Sequence, residues 1–79
     1  MDVTVKSIAD WAKAELDSLS AGKIYDSDSA MYGTIAERAG LSRQTVRQFH
    51  LGLQPNLGAD NLDKLIAAIK ITRERLRAA

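Results

Sequence analysis

Apolar residues recur along this chain at spacings of three and four, the period of helices packed on one side. Val5, Ile8, Trp11, Ala12, Leu16 and Leu19 share one face of a first predicted helix, about residues 3–19, with Thr4 as its N-cap. Glu15 falls inside that stripe. The segment from Ser20 to Asp28 reads as a loop, with Gly22 ending the helix and with Ile24 and Tyr25 expected to fold back onto the core. A second helix is predicted from near Ser29, capped by Asp28 or Ser29, up to Gly40. Met31, Ile35 and Ala39 lie on its inner face, flanked by Tyr32 and Ala36. Gly33 in its interior costs about 1 kcal/mol relative to Ala. Gly40 stands where a helix end calls for positive φ. Ser42 caps a third helix running to about Leu51, with Val46 and Phe49 inward and Gly52 closing it. The segment from Leu53 to Gly58 is a loop in which Pro55 bars further helix. A fourth helix, about residues 59–70, carries the stripe Leu62, Leu65, Ile66 and Ile69. Thr72 is expected to cap a short fifth helix, about residues 73–79, with Leu76 inward. No alternating strand pattern and no internal repeat is found. The expectation is one all-α domain over residues 1–79, a compact bundle of about five helices.

Composition narrows this further. With 79 residues the core is small, and with no Cys neither a disulfide nor a thiolate zinc site can reinforce it. The longest apolar run, from Leu65 to Ile69, is far short of the roughly 20 residues of a membrane span. The segment from Met1 to Lys6 has no basic flank followed by an apolar core, so no signal peptide is expected, and a cytoplasmic location is. The net charge of +1 conceals an asymmetry. Residues 1–30 carry three lysines against six acids, and residues 31–79 carry eight basic residues against four acids, so the halves are −3 and +4. That division suggests a directional surface.

The basic half contains the most informative stretch, about residues 31–52. Gly40, Leu41 and Ser42 are too short a link to let two helices lie antiparallel, so the helices must cross steeply, as in a helix-turn-helix. Such a crossing needs a small side chain at the contact, which Ala36 supplies, and a plug beneath the turn, which Leu41 supplies. Ile35, Val46 and Phe49 supply the apolar contacts between the two helices. The run from Ile35 to Val46, with Gly52 and the stripe Leu62, Leu65, Ile66 and Ile69, resembles the lambda-repressor-like DNA-binding domains of phage repressors, Cro proteins and related bacterial regulators. The resemblance covers about residues 29–76 and is most specific in the helix-turn-helix. It implies a bundle of about five helices, an operator bound as a homodimer, and a third helix lying in the major groove.

With Val46 inward and about 100° per residue, Gln44, Arg47 and Gln48 point outward and Arg43 and Thr45 flank them at the helix tip. Arg can pair bidentately with guanine, Gln with adenine, and a Thr methyl can meet a thymine methyl. Arg43, Gln44, Thr45, Arg47 and Gln48 are therefore the expected base-reading set. The resemblance places phosphate contacts at the start of the second helix and around the turn and loop bounding the third, here Tyr32, Ser42, Gln54 and Asn56. The family often carries Gln where Tyr32 stands and basic residues in the loop. This chain has no Lys or Arg between Arg47 and Lys64, which predicts a shallow salt dependence per monomer.

The family also commonly pairs a basic residue of the first helix with an acid near the end of the third. Here His50 ends the third helix and Glu15 lies on the first helix's inner stripe, which leaves two readings: Glu15 sits at the stripe edge with its carboxylate reaching solvent, or it forms an ion pair of reversed polarity with His50. Arg73, Arg75 and Arg77 could meet DNA flanks, line a dimer interface or be solvated, with solvation the default expectation. Asp26, Asp28 and Glu37 superficially match a calcium loop, but Ala30 and Met31 occupy the positions that need an oxygen ligand and Gly. One His, no Cys and no Gly-rich phosphate loop leave little for catalysis. No metal, cofactor, small-molecule ligand or enzymatic activity is expected. The alternative is a protein-interaction module, an antitoxin or adaptor on the same scaffold. It would be expected to carry aromatic or aliphatic anchors where Arg43, Gln44, Arg47 and Gln48 stand.

Overall fold

The computed structural model describes residues 5–54 and 57–78, which form four α-helices and no strand. These are α1 (Val5–Ala21), α2 (Asp28–Ala39), α3 (Arg43–His50) and α4 (Ala59–Ala78). The expected cap Thr4, the loop residues Pro55 and Asn56, and Ala79 lie outside the described residues, as does the side chain of Val5. The radius of gyration is 11.8 Å, against about 11.6 Å for a compact chain of this length.

Three of the helix boundaries have a clear local cause. Ser27, in extended backbone, accepts a hydrogen bond from the Ala30 amide through its side chain, 3.1 Å. The cap of α2 is therefore Ser27, one residue before the pair expected from sequence. At the other end Gly40 takes φ 71°, and the Leu41 amide donates back to the Ala36 carbonyl at 2.9 Å. A side chain at that φ would crowd the backbone, so Gly suits the turn. Ser42 caps α3 by accepting from the Thr45 amide at 3.1 Å.

The inner faces meet in one core. Leu16 and Leu19 of α1, Met31 and Ile35 of α2, Val46 and Phe49 of α3, and Leu65 and Ile69 of α4 are all fully buried. α2 packs against both α3 and α4, and α1 lies across α4. Tyr25, Leu41, Ile66 and Leu76 are half-buried against this core. Two apolar expectations are corrected. Trp11, placed in the α1 stripe by periodicity, is 40% exposed at the edge of the α1–α4 groove. Ile24, expected on the core, is exposed.

The expected fifth helix does not exist as a separate element, because α4 continues unbroken to Ala78. Thr72 is an interior residue of it. Its hydroxyl donates to the Ala68 carbonyl at 2.8 Å and accepts from Arg38 Nη1 at 2.7 Å. A Thr hydroxyl that bonds back to the fourth carbonyl before it is the pattern of a mid-helix residue and not of an N-cap, whose side chain accepts from amides ahead of it. Arg38 completes the satisfaction of a side chain with no solvent access.

Candidate nucleic-acid interface

α3 is strongly two-sided. Val46 and Phe49 anchor one side in the core, while Arg43, Gln44 and Arg47 are exposed on the other. Gln48 and Thr45 are half-buried at the edges of that face. The Thr45 hydroxyl is 2.6 Å from the Ser42 hydroxyl, so both belong to the capping turn. The Gln48 carbonyl accepts from the Leu53 and Gln54 amides at 2.9 and 3.1 Å and folds the chain sharply after α3. Gln54 is exposed just beyond that turn. Of the expected contact residues, α3 thus brings Arg43, Gln44 and Arg47 onto one solvent face, and Asn56 lies outside the described residues.

Tyr32 is placed differently from the rim position expected of it. It is 4% exposed, and its hydroxyl lies 2.6 Å from His50 Nδ1. His50 Nε2 in turn contacts Asp17 Oδ1 at 2.5 Å. When His50 is neutral, the Nε2–H donates to the carboxylate, and Nδ1 is left to accept from the tyrosine O–H. This chain of three side chains ties α2, α3 and α1 together. The Glu15–His50 pair is not formed: the acid of α1 that meets the end of α3 is Asp17. Glu15 accepts from Arg73 Nε at 2.7 Å instead, joining α1 to α4. That contact accounts for an acid within an apolar stripe, and it gives Arg73 a structural partner rather than the solvated role expected for it.

Two measurements check this network. A double-mutant cycle on Asp17 and His50 is expected to show coupling of about 0.2–1 kcal/mol, because Asp17 is largely exposed and solvent screens the pair. The same cycle on Glu15 and His50 should be additive. Tyr32→Phe is expected to cost about 1 kcal/mol through the lost hydrogen bond. Burial pushes the Tyr32 phenol above its ordinary value, with Asp28 adding to the effect. A raised value favours the protonated form in the folded state. The stability it brings is therefore full below about pH 10 and is lost as pH climbs through the raised folded value. Chemical denaturation from pH 8 to 11 should show a steeper alkaline decline in the wild type than in Tyr32→Phe.

Beside the α3 face lies a shallow cleft of about 290 Å³ lined by Asp28, Ser29, Tyr32, Arg43, Arg47 and Leu51. Leu51, half exposed, and Leu53, 69% exposed, add apolar surface beside it. Sequence reading did not single these two out, although Leu51 follows Arg47 by four residues and so shares its side of the helix. Among the described residues no group of acids and His is placed to hold a metal ion, and no helix is long and apolar enough to cross a membrane. Comparison with known proteins finds no matching family model, no matching curated protein and no matching solved structure.

Proposed function

We propose that this chain is a sequence-specific DNA-binding transcriptional regulator of the lambda-repressor-like helix-turn-helix kind, a phage or prophage repressor or Cro-like protein. In this reading α2, the turn from Gly40 to Ser42, and α3 form the motif, and α3 enters the major groove. The single observation that carries the reading is the solvent face of α3. Arg43, Gln44 and Arg47 stand exposed on a helix whose opposite side is anchored by fully buried Val46 and Phe49. A rigidly held helix presenting two Arg and a Gln suits base edges better than it suits water alone. The protein acts in the cytoplasm as a homodimer on a palindromic operator, with half-sites about 10 base pairs apart or a multiple of that. It regulates by occupancy, needing neither cofactor nor small-molecule ligand.

Selection of binding sites from random duplex DNA tests this directly. An enriched palindrome supports DNA binding, symmetry and spacing together, and the absence of enrichment overturns the reading. The absence of Lys and Arg from residues 48–63 also implies few phosphate contacts. The slope of log K against log salt is expected to be shallow. A slope implying about ten phosphates per monomer contradicts it. The second reading, an antitoxin or adaptor module, draws on exposed Leu51 and Leu53 beside the cleft, since apolar side chains can anchor a protein partner.

A further inference from the structure

Gly33 is a puzzle by local rules. It sits in the interior of α2, where Gly is among the poorest helix formers. It has no turn to make, and its φ is not in the left-handed region. What it does have is a close neighbour from another helix. A Cβ added at Gly33 would stand 3.1 Å from both Nε and Nη2 of Arg43, and 3.5 Å from Cζ. The guanidinium of the first residue of α3 therefore rests on the bare backbone of α2, in the space a side chain would fill. No ion pair among the described residues involves Arg43. The residue is exposed, and the cleft beside it also carries Arg47 and Asp28.

We propose that Gly33 is a positioning residue that seats Arg43 and thereby sets the base preference read by that arginine. The specificity role rests on the DNA-binding reading above, whereas the seat itself does not. A long flexible side chain loses rotamer freedom when it pairs with a base, and a seat removes much of that freedom before binding. Gly at position 33 exchanges some helix propensity for a preorganised arginine.

The seat is read without DNA from the ¹⁵N relaxation of the Arg43 Nε–Hε group. The wild type is expected to show a clearly higher order parameter for this group than Gly33→Leu, whose value should fall in the flexible range, below about 0.6. Leu is a better helix former than Gly, so the thermal midpoint of the variant should match or exceed the wild type. If it falls, Gly33→Ala, with a smaller intrusion in the same direction, takes its place. On the selected operator, Gly33→Leu should reproduce the loss caused by Arg43→Ala, roughly 5- to 160-fold in discrimination at one base step. The double variant should lose no more than either single variant. Unchanged Arg43 order in a folded Gly33 variant overturns the seat. Unchanged discrimination, with Arg43 disordered, overturns the specificity role. A wild-type protein that selects no sequence overturns the DNA reading and the specificity role together, while the relaxation measurement still decides the seat.

Discussion

Replacing Phe49 by Ala is expected to lower the free energy of unfolding by about 3–5 kcal/mol. A chain of this length has about 4–12 kcal/mol in total, so the loss is at least about a quarter of the whole. The size of the effect follows from where the ring sits. Phe49 is 0% exposed and, with Val46, makes up the buried face of α3. α3 has eight residues, well under the roughly 12–15 that an isolated helix needs to be even marginal in water. Its helicity is therefore borrowed from this packing. Lys13 adds to the loss, because its ammonium lies 5.4 Å from the ring centroid, a contact of about 0.5–1 kcal/mol at an exposed site. Urea denaturation followed by circular dichroism measures the change. A loss below about 1.5 kcal/mol, the usual range for a volume-conserving swap, would mean that the core closes over the cavity and that α3 is held by other contacts.

The double variant Arg43→Ala/Arg47→Ala is expected to have the opposite profile, nearly intact stability with sequence discrimination gone. Both side chains are exposed and neither takes part in an ion pair among the described residues. Surface changes of this kind usually shift stability by no more than about 0.5 kcal/mol. On the operator, each Arg that pairs bidentately with a guanine contributes about 1–3 kcal/mol of discrimination. The two stand one helical turn apart beside one cleft, so their losses should not simply add. Competition between the selected site and a scrambled duplex measures the ratio, and the denaturation midpoint controls for folding. Full discrimination in the double variant would refute base reading by this face. Loss of both discrimination and stability would recast the two arginines as structural.

The two expectations differ in how they could be reached. The burial of Val46 and Phe49 and the exposure of Arg43, Gln44 and Arg47 follow from period alone, because a single amphipathic helix has only one way to face a core. The buried set of α2, from Met31 to Ala39, follows the same way, as do the caps at Ser42 and Gly40, whose physics is confined to a few neighbouring residues. Periodicity was less informative where a stripe is wider than the contact it makes. Trp11 fits the α1 pattern, yet its place at the edge of the α1–α4 groove depends on how far α4 extends over it.

Pairing between distant side chains was the least legible. Glu15 and Asp17 are two residues apart, about 200° around α1, and the sequence reading set only Glu15 against His50. The packing of α1 sends Asp17 to the end of α3 and Glu15 to Arg73 on α4. Thr72 reads as a cap from its local sequence. It stands inside α4 instead, where its hydroxyl meets Arg38, thirty-four residues away. Gly33 reads as a local defect and has its explanation in Arg43 of the next helix. By itself the sequence determined the all-α class, the helix faces and the caps at Gly40 and Ser42, because those depend on spacing and on bonds within a turn. Only the tertiary structure decided which acid meets which base, whether α4 ends at Thr72, and what fills the space above Gly33, because those depend on the relative placement of whole helices, which no local spacing encodes.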